Sequence, residues 1–506
     1  AMAGVMNFIT RKDYDGAEYS SRVNVPEIGE GLQQNHNLSF GKSYARGNWF
    51  LSTQYVEQRG FTGKDVGNYH QDPTFGPTSD KTFTGLTQNS DGSFQSIDNG
   101  TTFYRGSCAA SDRDDCLDTD LRGMDFIRTP RENIGTLATG RYDLTSDISV
   151  SVVGMYNRRQ RREMGLPQAI NLDRQNGRQP LNTANFTSSD LQQQSTGAPF
   201  AEFNIRPIDE VGVRDVGVLQ NTYTAQTKVE GFYWDTWRWD FSGGYAYSLE
   251  ERNHQNGLVN VDAVSSIMQN SNSFSLTQTN PGAFAPASVQ GTEAYEASMT
   301  TARLLTTGEL FDMNNVYGTG GPVSLAIGVE GQWESTSDLH DENLISQNLN
   351  VPFEPNQTGV RTVNSAFAEI VAYPSEQVEI QIAGRSDTYS DFGSTFNPKF
   401  SLGYRPSNKV LFRSSWGTNF NAPSVRNMIM RDFVEYQSVQ FGEPGQENVR
   451  TTFIPVTRYR DANLRPEEAV NYNFGTVIQP NRRWTFTIDQ WNFEGDGMLA
   501  RRSGFD

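Results

Sequence analysis

The sequence predicts an all-β protein, a transmembrane antiparallel β-barrel with a water-lined interior. Three observations predict this fold class. Apolar and polar residues alternate as in strands, short turns are separated by long polar connections, and no run of about 18 apolar residues exists that could form a membrane helix. Aromatic residues reach 12% although hydrophobic residues make up only 36% of the chain. A barrel fits this composition because its strands need an apolar residue only at every second position.

The clearest alternation lies in residues 378–383. Val378, Ile380 and Ile382 alternate with Glu379 and Gln381. Because a period of two places successive side chains on opposite faces of a strand, we expect the three apolar residues to face lipid and the two polar ones to face the lumen. The alternative is an antiparallel sheet with one face in solvent.

Short turns along the chain predict about seven hairpins. Pro, Gly, Ser and Asn recur at these turns and favour tight reversals of the backbone. The turns are predicted at residues 43–48, 143–147, 234–237, 318–322, 374–377, 405–409 and 479–482. The long polar connections are predicted to be external loops, at residues 59–128, 157–220, 249–300 and 421–465. Short turns at one end and long loops at the other are typical of outer-membrane barrels.

Charge and motif content exclude several functions. The formal net charge of -17 argues against a nucleic-acid partner, which requires a basic surface. The carboxylates have no His or Ser partner at a catalytic spacing, so the sequence predicts neither an enzyme nor a bound cofactor. The four histidines, His36, His70, His254 and His340, are far apart in the sequence, which argues against a zinc site.

The two cysteines lie in a polar segment. Cys108 and Cys116 are predicted to form a disulfide in an extracellular loop, since paired cysteines in an exported chain are usually oxidised. Clustered carboxylates beside them can hold Ca²⁺ through oxygen ligands, although an acidic run can also be simply solvated. The candidate calcium ligands are Asp112, Asp114, Asp115, Asp118 and Asp120.

Two further side-chain groups are expected at the membrane boundaries. Trp234, Trp237 and Trp239 flank a predicted turn and are expected to form an aromatic girdle rather than a stacking site for a ligand. A cluster of arginines follows a predicted strand on the outer side, where it can pair with the phosphates of lipopolysaccharide or form a solvated loop base. The cluster consists of Arg158, Arg159, Arg161 and Arg162.

Three motifs, in order, resemble those of one family. Residues 1–12 resemble the end of its plug domain, where a small-residue segment leads into a Val-x-Asn-x-Ile-Thr strand, with matches at Gly4, Val5, Asn7, Ile9 and Thr10. Residues 416–424 resemble its Gly-x-x-Phe-Arg-Ala-Pro-Ser motif, with matches at Phe420, Ala422, Pro423 and Ser424 and with Asn421 in place of Arg. Residues 463–467 resemble its Asn-x-x-Leu-x-Pro-Glu segment, with matches at Leu464, Pro466 and Glu467. The family is that of the TonB-dependent outer-membrane transporters.

The resemblance implies a barrel of 22 strands closed by a plug. Residues 1–15 would be the end of the plug and residues 16–506 the barrel, entered at about residues 16–25. The sequence accounts for about 15–16 strands, and an unclosed barrel would leave unpaired strand edges in lipid. We therefore expect the chain to be a fragment of a longer one, without most of the plug, the TonB box and the C-terminal strands.

The resemblance also implies a function. A protein of this family is expected in the bacterial outer membrane, in contact with lipid and lipopolysaccharide, where it imports a scarce nutrient. Energy would come through TonB and its inner-membrane energising complex. The ligand stays open among ferric siderophores, oligosaccharides, cobalamin and peptides. The alternative is a passive porin or a structural surface barrel, which would have no plug.

Overall fold

Fifteen strands form one continuous antiparallel sheet in the computed structural model, each paired with the next along the chain. We call this sheet the wall. The structure describes residues 14–27, 29–66, 81–97, 102–104, 125–172, 180–194, 197–234, 236–276, 280–351, 353–429, 431–441, 450–458 and 464–498. The wall strands are β1 Gly16–Asn24, β2 Gln33–Tyr44, β3 Gly47–Gln58, β4 Arg131–Asp143, β5 Ile148–Gly165, β6 Arg214–Phe232, β7 Arg238–Val259, β8 Ser288–Asp312, β9 Pro322–His340, β10 Gln357–Ser375, β11 Val378–Tyr389, β12 Gly393–Ser407, β13 Val410–Asn421, β14 Glu467–Asn481 and β15 Trp484–Asp496.

The all-β antiparallel fold and the seven predicted hairpins are confirmed. Each predicted turn joins two neighbouring wall strands, as at β10 to β11, where Ser375 pairs with Val378 across the reversal. The wall also has the expected number of strands, about fifteen. None of the helices in the described part of the chain has the length and apolar character needed to cross a membrane.

The two faces of the wall differ in chemistry. Ile382 is 54% exposed and lies opposite Ile370 and Phe400 in the neighbouring strands, so large apolar side chains cover one face. Gln381 points to the other face, where its amide donates to the Glu369 carboxylate at 2.6 Å. The predicted separation within residues 378–382 is confirmed. That the apolar face meets lipid stays a prediction. We call the two sides the apolar face and the polar face.

Several wall strands are longer than the alternation predicted. β5 continues to Gly165, β6 begins at Arg214 and β8 begins at Ser288, so parts of the predicted loops 157–220 and 249–300 are strand. The prediction was wrong there because it followed apolar residues. The backbone ladder continues where both faces are polar, as at the successive register pairs Arg158 with Asn221 and Arg159 with Gln220, and a ladder needs no apolar side chains.

The wall strands are joined at one end by connections that contain short strands and helices. The short strands are Phe61–Thr62, Lys81–Gln88, Phe94–Ser96, Thr102–Tyr104, Phe126–Arg128, Ile170–Leu172, Leu181–Asn182, Phe200–Ile205, Phe433–Phe441 and Arg450–Arg458. The α-helices are α1 Ser189–Gln194, α2 Ile208–Val211, α3 Val261–Asn270, α5 Glu342–Ile345 and α6 Val425–Ile429, while α4 Met313–Tyr317 lies in the opposite turn between β8 and β9. Within the described residues, 3-10 turns lie at Gly63–Asp65, Thr183–Asn185 and Ala285–Ala287.

Three of these connections share a hydrophobic core, which we call the cap core. Phe83 comes from the first connection, Phe203 from the second and Met268 from the third, and all are buried in one cluster. In α3, Asn260 caps the helix by accepting from the Ala263 amide at 2.9 Å, and Val261, Val264 and Met268 are buried on one side. The sequence analysis did not predict this core, because each segment contributes only a few apolar residues to a core that forms when all three meet.

Candidate functional site on the polar face

Two of the sequence motifs meet at one end of the wall. Asn421, the residue that replaces Arg in the second motif, donates from Nδ2 to the Glu467 carboxylate of the third motif at 2.9 Å. The two residues are also register partners in β13 and β14. After the strand, Pro423 is buried and the Ser424 hydroxyl accepts from the Asn427 amide at 3.1 Å. Ser424 thus caps α6, so the motif ends one strand and starts the next helix.

A cavity of about 950 Å³ opens beside this motif; we call it the motif cavity. Its lining includes Phe420, Ala422, Pro423 and Ser424 of the second motif. Polar side chains form much of the remaining surface, among them Asn397, Lys399, Asn419, Asn421, Asn471 and Thr418. Ligand pockets in proteins commonly have volumes of about 300–1,000 Å³, so a small molecule fits here.

On one side of the motif cavity, arginines are paired with carboxylates. Arg361 is only 4% exposed, and its Nε and Nη2 donate to the Asp391 carboxylate at 2.9 and 2.6 Å. Its guanidinium also lies over the rings of Tyr389 and Phe392, at 5.5 and 5.6 Å from the centroids. Arg385 donates to Asp387 at 2.8 Å. Pairing of this kind is what a buried charge requires.

A second group, the histidine cluster, lies on β7, β8 and β9. Glu293 is buried, and its Oε1 contacts Nε2 of His254 while its Oε2 accepts from the Tyr295 hydroxyl. Nε2 of His340 lies 3.5 Å from Oε2 of the same carboxylate. Phe353 packs on both imidazole rings, with centroids 5.5 Å from His254 and 5.9 Å from His340. One carboxylate therefore contacts polar atoms of three side chains.

Charged residues extend the histidine cluster across the wall. Arg252 donates to Glu163 at 2.7 Å and to Glu250 at 3.3 Å, and its Nε lies 4.0 Å from Glu293. Arg161 donates to Glu163 at 2.9 Å. The wall thus presents a continuous network of ion pairs rather than isolated charges.

Arg426 of α6 links the motif cavity to the histidine cluster. Its Nε donates to Asp338 at 2.7 Å, its Nη2 donates to Glu354 at 3.0 Å, and its guanidinium lies 6.0 Å from the Tyr295 ring centroid. Burial lowers the pKa of Arg426, whereas the hydrogen bond and charge of Asp338 raise it, and the net change is a rise. The helix that follows the motif is therefore fixed to β8, to β9 and to the segment that carries Phe353.

The predicted arginine group is divided between the two faces. Arg158 and Arg162 are exposed, and Arg162 donates to Asp215 at 2.7 Å. Arg161 takes part in the ion pairs of the polar face. Arg159 lies two residues before it in the same strand and therefore points to the same face. Contact with lipopolysaccharide stays a prediction.

The predicted girdle lies at the turn between β6 and β7. Trp234 is 70% exposed, and the ring of Tyr233 lies 5.0 Å from that of Trp234 and 6.0 Å from that of Trp237. Trp239 is part of β7. The remaining predicted residues lie outside the part of the chain that the structure describes: Gly4, Val5, Asn7, Ile9, Thr10, Cys108, Cys116, Asp112, Asp114, Asp115, Asp118 and Asp120.

The histidine cluster could not be predicted from the sequence. His254 and His340 are far apart in the chain, and only the strand register brings them to one carboxylate, since Glu293 is the register partner of both Arg252 and His340. Within the described ranges, no group of three or more His, Cys, Asp or Glu side chains is arranged to hold a metal ion.

Comparison with solved structures shows the fold. The ferric enterobactin receptor PfeA of Pseudomonas aeruginosa, in a mutant form, matches with a TM-score of 0.54 and 10% identity, over 96% of this chain and 54% of that chain. The siderophore receptor PirA of Acinetobacter baumannii matches with a TM-score of 0.51 and 11% identity, again over 96% and 54%. The chain therefore spans about half the length of these structures. No curated protein matches the sequence.

A family model settles the relationship. The model described as TonB dependent receptor-like, beta-barrel, matches residues 209–505, which is more than half of the chain. The matched region contains the second motif, which lines the motif cavity, and the third motif. The wall has the antiparallel, meandering strand order expected of such a barrel. The chain thus belongs to the TonB-dependent receptor-like β-barrel family.

Proposed function

We propose that this chain is the barrel portion of a TonB-dependent outer-membrane receptor that imports a scarce nutrient, such as a ferric siderophore or an oligosaccharide. The observation that carries the proposal is the motif cavity. It lies on the polar face of the wall and is bordered by Phe420, Ala422, Pro423 and Ser424. A lumen-facing cavity of this size can hold a nutrient molecule on its way through the barrel.

The receptor works with several partners in this proposal. TonB and its inner-membrane complex supply energy to a plug that precedes the barrel. Lipid surrounds the apolar face, where Ile382 and Phe400 are exposed, and lipopolysaccharide contacts the outward arginines Arg158 and Arg162. The Cys108 and Cys116 pair and the neighbouring aspartates belong to the outer loops, as a disulfide and a candidate calcium site.

Uptake by the full-length protein tests the proposal. A bacterial strain that depends on this receptor for a nutrient is compared with the same strain lacking TonB. We expect uptake to stop without TonB, because a plugged barrel needs energy to open. Equal uptake in both strains would show a passive pore and refute the proposal.

A further inference from the structure

We propose that the motif cavity binds a neutral, hydroxyl-rich ligand of the chemical class of an oligosaccharide, through Asn397, Asn419 and Asn471 and against the ring of Phe420. This inference rests on the proposed function, because it names the substrate class of the same site. It is tested by binding to purified protein, whereas the proposed function is tested by energised uptake. The two can therefore fail separately.

The charges of the motif cavity are largely compensated. Its charged lining consists of Glu334, Arg361, Arg385, Asp387 and Lys399. Arg385 donates to Asp387 at 2.8 Å, and Arg361 lies 3.8 Å from Glu334 and is also bonded to Asp391. Lys399 alone among them makes no ion pair with the residues that the structure describes. A cavity with one uncompensated charge offers little attraction to a multiply charged anion, so neutral hydrogen bonds must dominate recognition.

The asparagines supply these hydrogen bonds. Oδ1 of Asn397 accepts from the Thr418 hydroxyl at 3.3 Å, but its Nδ2 is buried and has no acceptor among the described residues. A buried donor without a partner is costly, and a ligand hydroxyl in the cavity can accept from it. Each amide carries both a donor and an acceptor, as does each hydroxyl, so amides and sugar hydroxyls pair in both directions.

A glycine, Gly417, lies between two polar residues in the floor of the cavity. Lys399, Gly417 and Asn471 are consecutive register partners on β12, β13 and β14, so a residue without a side chain stands in the middle of the row. A Cβ at Gly417 would lie 3.2 Å from the Pro398 carbonyl oxygen and 3.5 Å from Cα of Lys399. The glycine therefore lets β12 and β13 approach closely, and the Asn471 side chain beside it lines the cavity.

Two aromatic rings line another side of the cavity. The Phe420 ring stands edge to face with Tyr389, with centroids 5.8 Å apart and an interplanar angle of 86°. Both rings line the cavity. An aromatic surface beside amides suits a ligand that has an apolar C–H face and hydroxyl edges, as a sugar ring has.

Calorimetry on the purified full-length protein in detergent tests the inference. The probes are maltohexaose, xylohexaose and chitohexaose as neutral oligosaccharides, and a ferric tris-catecholate as an anion. We expect one of the oligosaccharides to bind and Asn397→Ala and Asn471→Ala each to weaken it about tenfold, the loss expected for a buried hydrogen bond. The matched control Asn24→Ala, at an exposed position of β1, should bind as the parent does.

Three results would overturn the inference. One is tight binding of the ferric tris-catecholate that Lys399→Gln abolishes and the asparagine variants retain. Another is the failure of every oligosaccharide to bind. The third is equal binding by the parent and both asparagine variants. Circular dichroism confirms that each variant is folded. Asn471→Ser, which replaces the amide with a hydroxyl that can still donate and accept, should bind more tightly than Asn471→Ala if a hydrogen bond is what Asn471 contributes.

Discussion

Arg361 is a charged residue of the polar face that is almost completely buried. It is only 4% exposed, and Asp391 and Glu334 lie within ion-pair distance of its guanidinium, at 2.6 and 3.8 Å. The rings of Tyr389 and Phe392 cover its guanidinium. Its removal would leave Asp391 and Glu334, whose side chains are 20% and 26% exposed, without the cation that pairs with them.

Replacement of Arg361 tests this directly. Arg361→Met keeps the aliphatic stem but removes the hydrogen bonds to Asp391 and the ion pair with Glu334, so we expect the free energy of unfolding to fall by about 2 kcal/mol. Urea unfolding of the refolded barrel in detergent measures the change. Arg22→Met, at an exposed position of β1, is the matched control. Equal stability of the two variants would contradict the role given to Arg361.

Residue identity alone could not reveal the whole site. The motif residues Phe420 and Ser424 were visible in the sequence, and both border the motif cavity. His254 and His340 were not, because they meet at Glu293 only through the pairing of three strands. A sequence reports spacing along one strand, whereas contacts across strands depend on register.

At the scale of elements, the position of α6 depends on Gly359 of β10 as well as on the ion pairs of Arg426. A Cβ at Gly359 of β10 would lie 2.4 Å from Cγ2 of Ile429 and 3.1 Å from Cγ1 of Val425. The helix can lie against the strand only because Gly359 has no side chain. This close approach brings Arg426 within reach of Asp338 and Glu354.

Gly359→Ala should therefore displace α6. We expect faster amide hydrogen exchange in residues 425–429, because the added methyl group has no room and the helix must move away. Hydrogen exchange read by mass spectrometry measures it. Gly154→Ala is the matched control, since a Cβ there meets nothing within 4 Å. Unchanged exchange in both variants would show that α6 tolerates the methyl group.

The alternation within β11 predicts which side chains meet lipid. In a variant without Cys108 and Cys116, Ile382→Cys should react with a maleimide confined to the membrane, and Gln381→Cys with a water-soluble one. The two positions are neighbours on opposite faces of the strand, so each is the other's control. Reversed labelling would invert the assignment of the two faces.

The sequence predicted strands well where one face is apolar and poorly elsewhere. The hairpin at 374–377 was placed correctly because Val378 to Ile382 alternate sharply on one side of it. The ends of β5 and β8 were missed because polar residues on both faces look like loop, although the backbone continues to pair. Apolar periodicity measures contact with an apolar surface, not the length of a strand.

At the scale of the whole molecule, the cap core makes three connections one unit. Phe203 is 1% exposed and packs edge to face on Phe83 and Phe186, at 5.4 and 5.9 Å between centroids. These residues come from different connections or from distant parts of one, so sequence reasoning on each segment alone could not find the core. The cap and the wall are joined by the ends of β5, β6 and β7.

Truncation of Phe203 tests whether the cap core and the wall unfold independently. Phe203→Ala should cost the cap core about 3–5 kcal/mol, while the wall keeps its own strand pairing. We expect faster hydrogen exchange in residues 170–172 and 200–205 and unchanged exchange in β11. Phe232→Ala, at a position 57% exposed, is the control. Loss of protection throughout the wall would show that cap and wall unfold together.

The length of β8 sets where a solute first meets the protein. The strand has 25 residues, and at about 3.3 Å per residue and a tilt of about 45° it would rise roughly 60 Å, about twice the thickness of the hydrocarbon layer. Glu293 lies near its far end, about as high as the strand reaches. An arriving molecule would then make its first contacts in bulk water, far above the acyl chains, and its capture would depend on diffusion through the surrounding medium rather than on partitioning into the membrane.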